Sequence, residues 1–194
     1  MEADVYKAPE SEILTENSGE TEFYVVSQQK FLILYIATLG LYSFYWFYKH
    51  WQQYKIRHQE SMWPIMRAIF QIFFTHSLFE NFRVRLMDKK LTYAWAPGVL
   101  ATIYVVIILT ESVANRMSIK GIGLPLTDYL GFLLFPLQIW ILYKAQGAAN
   151  VACECPKGEK NSLLTAANYF WIVVGGVFWL LVAIGLYETY KGIY

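Results

Sequence analysis

Charge is scarce in this chain of 194 residues. Asp, Glu, Lys and Arg make up only 16% of it, whereas an average soluble domain carries about a quarter. That scarcity excludes a disordered chain, a coiled coil, a nucleic-acid binder and an ordinary soluble enzyme. Cysteine is scarcer still. Cys153 and Cys155 are the only two. A disulfide across one intervening residue is strained, and two ligands do not complete a zinc centre. No metal and no cofactor is expected. The reactive signatures are missing as well: the chain holds no Ser–His–Asp set, no HExxH, no P-loop and no GxGxxG. Of the three histidines, His50 and His58 lie eight apart in a basic, aromatic stretch, a poor spacing for a metal.

What is present is oil and rings. Hydrophobic residues reach 56%, and 7 Trp, 15 Tyr and 13 Phe make 18% aromatic; the mean hydropathy is +0.32. The composition indicates an all-α, polytopic membrane protein. Its charge is unevenly spread. Seven acids precede residue 31 against Lys7 and Lys30. Residues 1–28 have no apolar core and no basic leader, and read as a disordered acidic tail. Residues 29–194 read as a helical membrane domain.

Four stretches are candidate spans: 31–48, 92–112, 124–144 and 169–187. The first ends in a band of rings (Tyr42, Phe44, Tyr45, Trp46, Phe47, Tyr48, Trp51) followed by Lys49, Lys55 and Arg57, the mark of an interface. Pro136 lies inside the third and is expected to kink it. Residues 63–82 are apolar but carry Arg67, Gln71, His76 and Glu80. A charge at mid-bilayer costs about 3 kcal/mol on insertion scales. An amphipathic interfacial or re-entrant helix, begun by Pro64 at its first turn, keeps those groups wet; the alternative is a fifth span. With four spans, Lys and Arg number 11 on the inner side and 5 on the outer, which places both termini outside.

Several polar residues are candidates for function. Arg67, Arg83, Arg85, Lys89 and Lys90 form a basic membrane-facing set suited to lipid headgroups. His76 and Glu80 share a helix face and make a candidate proton site. Glu111 ends the second span and Asp128 opens the third, a candidate ion site whose blander reading is helix-end solvation and capping. Gly175 and Gly176 in the last span allow close helix approach, and Asn168 or Gln138 can hydrogen-bond between helices.

The stretches 38–55, 63–82 and 166–186 resemble an uncharacterised family of bacterial polytopic inner-membrane proteins. The first shows a T-x-G-x-Y-x-x-Y-W-x-Y-K pattern in Thr38, Gly40, Tyr42, Tyr45, Trp46, Tyr48 and Lys49. The resemblance covers about residues 28–190. It implies a bacterial inner-membrane setting, multi-pass, and no chemistry. Residues 4–13 resemble an N-P-Y-x-x-P tail through Tyr6 and Pro9, with Asp4 and Val5 departing from it; such a tail is a linear motif for a protein partner. The leading expectation is a non-enzymatic membrane protein that engages lipid or a partner, with no nucleic acid. The rivals are a small homo-oligomeric transporter or channel subunit and, third, a lipid-acting membrane enzyme.

Overall fold

The computed structural model describes residues 21–191, which form seven α-helices, one 3-10 turn and no strand. Most of the expected tail, including the candidate partner segment 4–13, lies outside the described residues. The helices are α1 (Gln28–Ala37), α2 (Tyr42–His58), α3 (Pro64–Ile69), α4 (Gln71–Asp88), α5 (Pro97–Ile119), α6 (Leu126–Ala152) and α7 (Ala166–Lys191). Three of them, α5, α6 and α7, are long and apolar enough to cross a membrane.

The uncharged run 31–48, expected as the first span, is not one helix. Leu39 and Gly40 both adopt positive φ, +52° and +82°, a region glycine occupies without penalty and other residues rarely. Thr38 closes one helix and opens the next. Its hydroxyl donates to the Leu34 carbonyl (2.8 Å) and accepts from the Tyr42 amide (3.0 Å). The T-x-G-x-Y pattern is therefore a corner between two short helices. Tyr42, Trp46 and Phe47 after it are buried.

The expected 63–82 helix is likewise two pieces, α3 and α4, broken at Phe70. Proline opens α3 at Pro64 and α5 at Pro97, where a missing N–H is harmless. Helix α6 runs through Pro136 without interruption.

The two short pairs reach only part-way along the long helices. At the α1–α2 corner, the Tyr35 hydroxyl donates to Gln138 Oε1 (3.1 Å), and Gln138 is near the midpoint of α6. At the α3–α4 corner, Gln71 Oε1 accepts from the Tyr104 hydroxyl (3.1 Å), about a third of the way along α5. Helix α7 packs on α1 and is otherwise largely exposed. The beginning of α5, the end of α6 and the beginning of α7 share one end of the molecule. The 120–125 connection and the end of α7 mark the other.

Residues 21–27 correct the tail reading at its C-terminal edge. They form an extended strap across the first end, with Phe23 and Val26 fully buried. Two aromatic residues followed by two aliphatic ones (Phe23, Tyr24, Val25, Val26) are all buried, enough to dock a segment that the acids around them make look solvated.

Candidate functional site

Three polar regions stand out. The first is the clamp around the strap. On α6, Gln146 and Asn150 lie one turn apart and point at the same backbone. Gln146 Nε2 donates to the Tyr24 carbonyl (3.0 Å). Asn150 Nδ2 donates to the Val26 carbonyl (2.9 Å), and its Oδ1 accepts from the Val26 amide (3.4 Å). Trp46 Nε1 donates to Gln146 Oε1 (2.5 Å). From the other side, Asn161 Nδ2 donates to the Val25 carbonyl (3.1 Å), and the buried Lys30 amine donates to Asn161 Oδ1 (2.6 Å) and the Leu163 carbonyl (2.7 Å). Gly158 is required here: its φ is +66°, and a Cβ would collide with the Val26 carbonyl. At the strap's entrance Glu22 pairs with Arg85 (2.7 Å) and His58 (2.8 Å). Cys153 and Cys155 are free thiols beside it; burial pushes Cys153 up to about 11, so it is a poor nucleophile at neutral pH.

His50 lies under this clamp, fully buried. Rings surround it, with Trp46 at 4.2 Å, Phe82 at 5.0 Å and Tyr24 edge-on at 6.0 Å. Neither ring nitrogen has a hydrogen-bond partner of good geometry. Burial drives its pKa down to about 3, with a small opposing effect from the Gln146 amide alongside. In the unfolded chain the imidazole titrates near 6.5. Above about 6.5 neither state is protonated and His50 has no pH effect. Below it, the unfolded state takes up a proton that the folded state refuses, so stability falls by about 1.4 kcal/mol per pH unit until the pH nears 3. Denaturant titration in detergent is expected to show this loss between pH 6.5 and 5, and His50→Leu to remove it. An unchanged acid slope in His50→Leu would place the sensitivity elsewhere.

The second region is the basic surface, and its residues separate. Arg83 donates to Glu80 (2.8 Å), Arg85 pairs with Glu22, and Lys89 with Glu154 (3.0 Å). The predicted His76–Glu80 pair is also split, because His76 instead bonds the Thr102 hydroxyl (3.0 Å). Arg67 is different. It makes no ion pair among the described residues, and its guanidinium stacks over Trp51 (4.3 Å) and Phe74 (5.2 Å), an arrangement that holds a cation without neutralising it. Around it Trp63, Ile65, Met66, Ile69, Phe70 and Phe73 are exposed. Among the described residues Lys90 has no acidic partner either.

The third region lies between the long helices. Gln138 links two helices to α6: it accepts from Tyr35 of α1, and its Nε2 donates to Glu111 Oε2 of α5 (2.6 Å). Tyr35 in turn neighbours Tyr104, which bonds Gln71. Glu111 and Asp128 line one half-open cavity, flanked by Leu39 of the α1–α2 corner and Val182 of α7. Asp128 accepts from Ser118 and sits in the first turn of α6, so its capping-end reading and its cavity-lining position coexist.

The expected packing residues of α7 also divide. A Cβ at Gly175 would collide with the Ala37 carbonyl, whereas at Gly176 it would meet open space. Asn168 does not bridge helices. It is exposed and forms a reciprocal cap with Thr165, whose amide donates to Asn168 Oδ1 (3.0 Å). Sequence reasoning missed the strap clamp: Gln146 and Asn150 stand in a small-residue stretch (Ala145–Ala152) just beyond the expected span 124–144, which α6 extends to Ala152, and the i, i+4 spacing of two amides was the available signal. No family model matches the chain, and no curated protein or solved structure matches it either.

Proposed function

We propose that this chain is a multi-pass protein of the bacterial inner membrane that binds anionic lipid and presents its acidic tail to a partner, without catalysing a reaction. In this reading α5, α6 and α7 span the bilayer, and the α1–α2 and α3–α4 corners enter it from the strap's side to partial depth. The observation that carries it is Arg67. An unneutralised guanidinium, held between two rings amid exposed apolar side chains, matches a lipid phosphate above acyl chains.

Charge supports the orientation. With three spans, only Arg116, Lys120 and Lys191 fall at the far end, and the remaining thirteen of the sixteen bases fall on the strap's side. That bias exceeds the one expected from four spans, and it puts the strap and the tail in the cytoplasm. The tail's partner motif and the basic face then occupy one compartment, in place of an outer N-terminus.

Two measurements test this. In a variant without Cys153 and Cys155, a single cysteine at position 120 is expected to react with an impermeant thiol reagent on intact cells, and one at 89 is not. Labelling of 89 from outside would overturn the orientation. Extraction into polymer nanodiscs is expected to retain anionic lipid, with Arg67→Gln weakening that retention about five-fold, as one basic residue near the surface contributes about 1 kcal/mol. An identical lipid profile in Arg67→Gln would overturn the lipid site.

A further inference from the structure

We propose that the cavity between α5, α6 and α7 is a binding site for an organic cation with an apolar body, a site separate from the lipid face. The cavity measures about 390 Å³ and lies on the side of the molecule away from the strap. Its wall joins two surfaces. One is anionic and polar, from Glu111, Asp128 and Asn115; the other is apolar and aromatic, from Phe132 and Phe135. No lysine or arginine lines it.

Glu111 is the centre of the argument. It sits within α5, a helix fit to cross a membrane, where ionised groups are costly and serve function. Its Oε2 accepts one hydrogen bond, from Gln138 (2.6 Å), and it makes no ion pair among the described residues. Gln138 is itself fixed from behind by the buried Tyr35 hydroxyl (3.1 Å), so the carboxylate is oriented before any ligand arrives. Among the described residues, its second oxygen and the Asn115 side chain have no hydrogen-bond partner.

The shape selects the ligand class. A bare inorganic ion would leave most of this volume unfilled. An anion would meet two carboxylates, and a neutral apolar molecule would leave both unpaired. A cationic head on an apolar body satisfies both walls: the charge against Glu111 and Asp128, the body against the phenylalanine rings, whose faces also attract a cation.

The test uses the full chain in nanodiscs and benzyltrimethylammonium as probe, measured by equilibrium dialysis. Saturable binding of one probe per chain is expected, weakened at least ten-fold in Glu111→Gln. Gly131→Phe fills the cavity from a position where a side chain meets nothing within 4 Å, leaves both carboxylates in place, and is expected to abolish binding as well. Unsaturable partitioning that is equal in all three proteins would overturn the site. Displacement of the probe by millimolar sodium, with Gly131→Phe still binding sodium, would overturn the organic class in favour of an inorganic ion.

Discussion

Asn150→Leu is expected to release the strap and to cost about 3 kcal/mol of stability. Asn150 makes two bonds to Val26 and accepts a third from Gln146 Nε2 (2.7 Å), all in a fully buried position. Leucine matches its size and keeps the helix, so the loss falls on the partners. The Val26 amide and carbonyl are left without this partner, and each buried orphan costs about 1–3 kcal/mol. Hydrogen exchange is the discriminating measurement: protection at the amides of residues 23–27 should fall by more than ten-fold while the α5 amides keep theirs. Equal protection in both proteins would mean that apolar burial of Phe23 and Val26 alone holds the strap. Asn168→Ala, at an exposed cap, is the contrast and should cost about 1 kcal/mol or less.

Gly175→Leu and Gly176→Leu are expected to differ by several kcal/mol although the residues are neighbours. At 175 the new Cβ runs into the Ala37 backbone, which cannot move without unseating the Thr38–Gly40 corner. Helix α7 must then back away from α1, losing the Trp179 Nε1 bond to the Ile36 carbonyl (2.8 Å). Backbone clashes of this kind belong to the most damaging class of substitution, and about 3 kcal/mol or more is expected. At 176 the side chain points into open space, which the bilayer would fill, so the change should stay within about 0.5 kcal/mol. Thermal unfolding in nanodiscs and protease sensitivity of the 153–165 connector check both. Equal effects would remove α1 as the partner of α7.

Much of the helical class was legible. The long uncharged runs that became α5, α6 and α7 needed only length and hydropathy, and proline marked the start of α3, whereas the second span, expected from 92, begins only at Pro97. The first span failed for a physical reason. Hydropathy counts apolar residues, and 31–48 has no charge to interrupt it, but a helix also needs allowed φ at each step. Gly40 and the two-way bonding of Thr38 make the corner cheaper than continuation. The polar sites were legible as residues, not as groups. Glu111 and Asp128 could be placed near one another by span order, while His76 and Glu80 bond instead to Thr102 and Arg83, partners that span order could not choose.

By itself the sequence determined that this chain is helical, that it holds segments fit to cross a membrane, and that its bases are concentrated between residues 49 and 90. These follow from composition and local spacing, which act over a few residues. Only the tertiary structure decided how many runs become long helices, that residues 23–26 are core, and which cations of the basic set stay unpaired. Those outcomes depend on contacts between positions more than a hundred residues apart, such as Val26 with Asn150 and Tyr35 with Gln138. Such pairs leave no periodic trace in the chain.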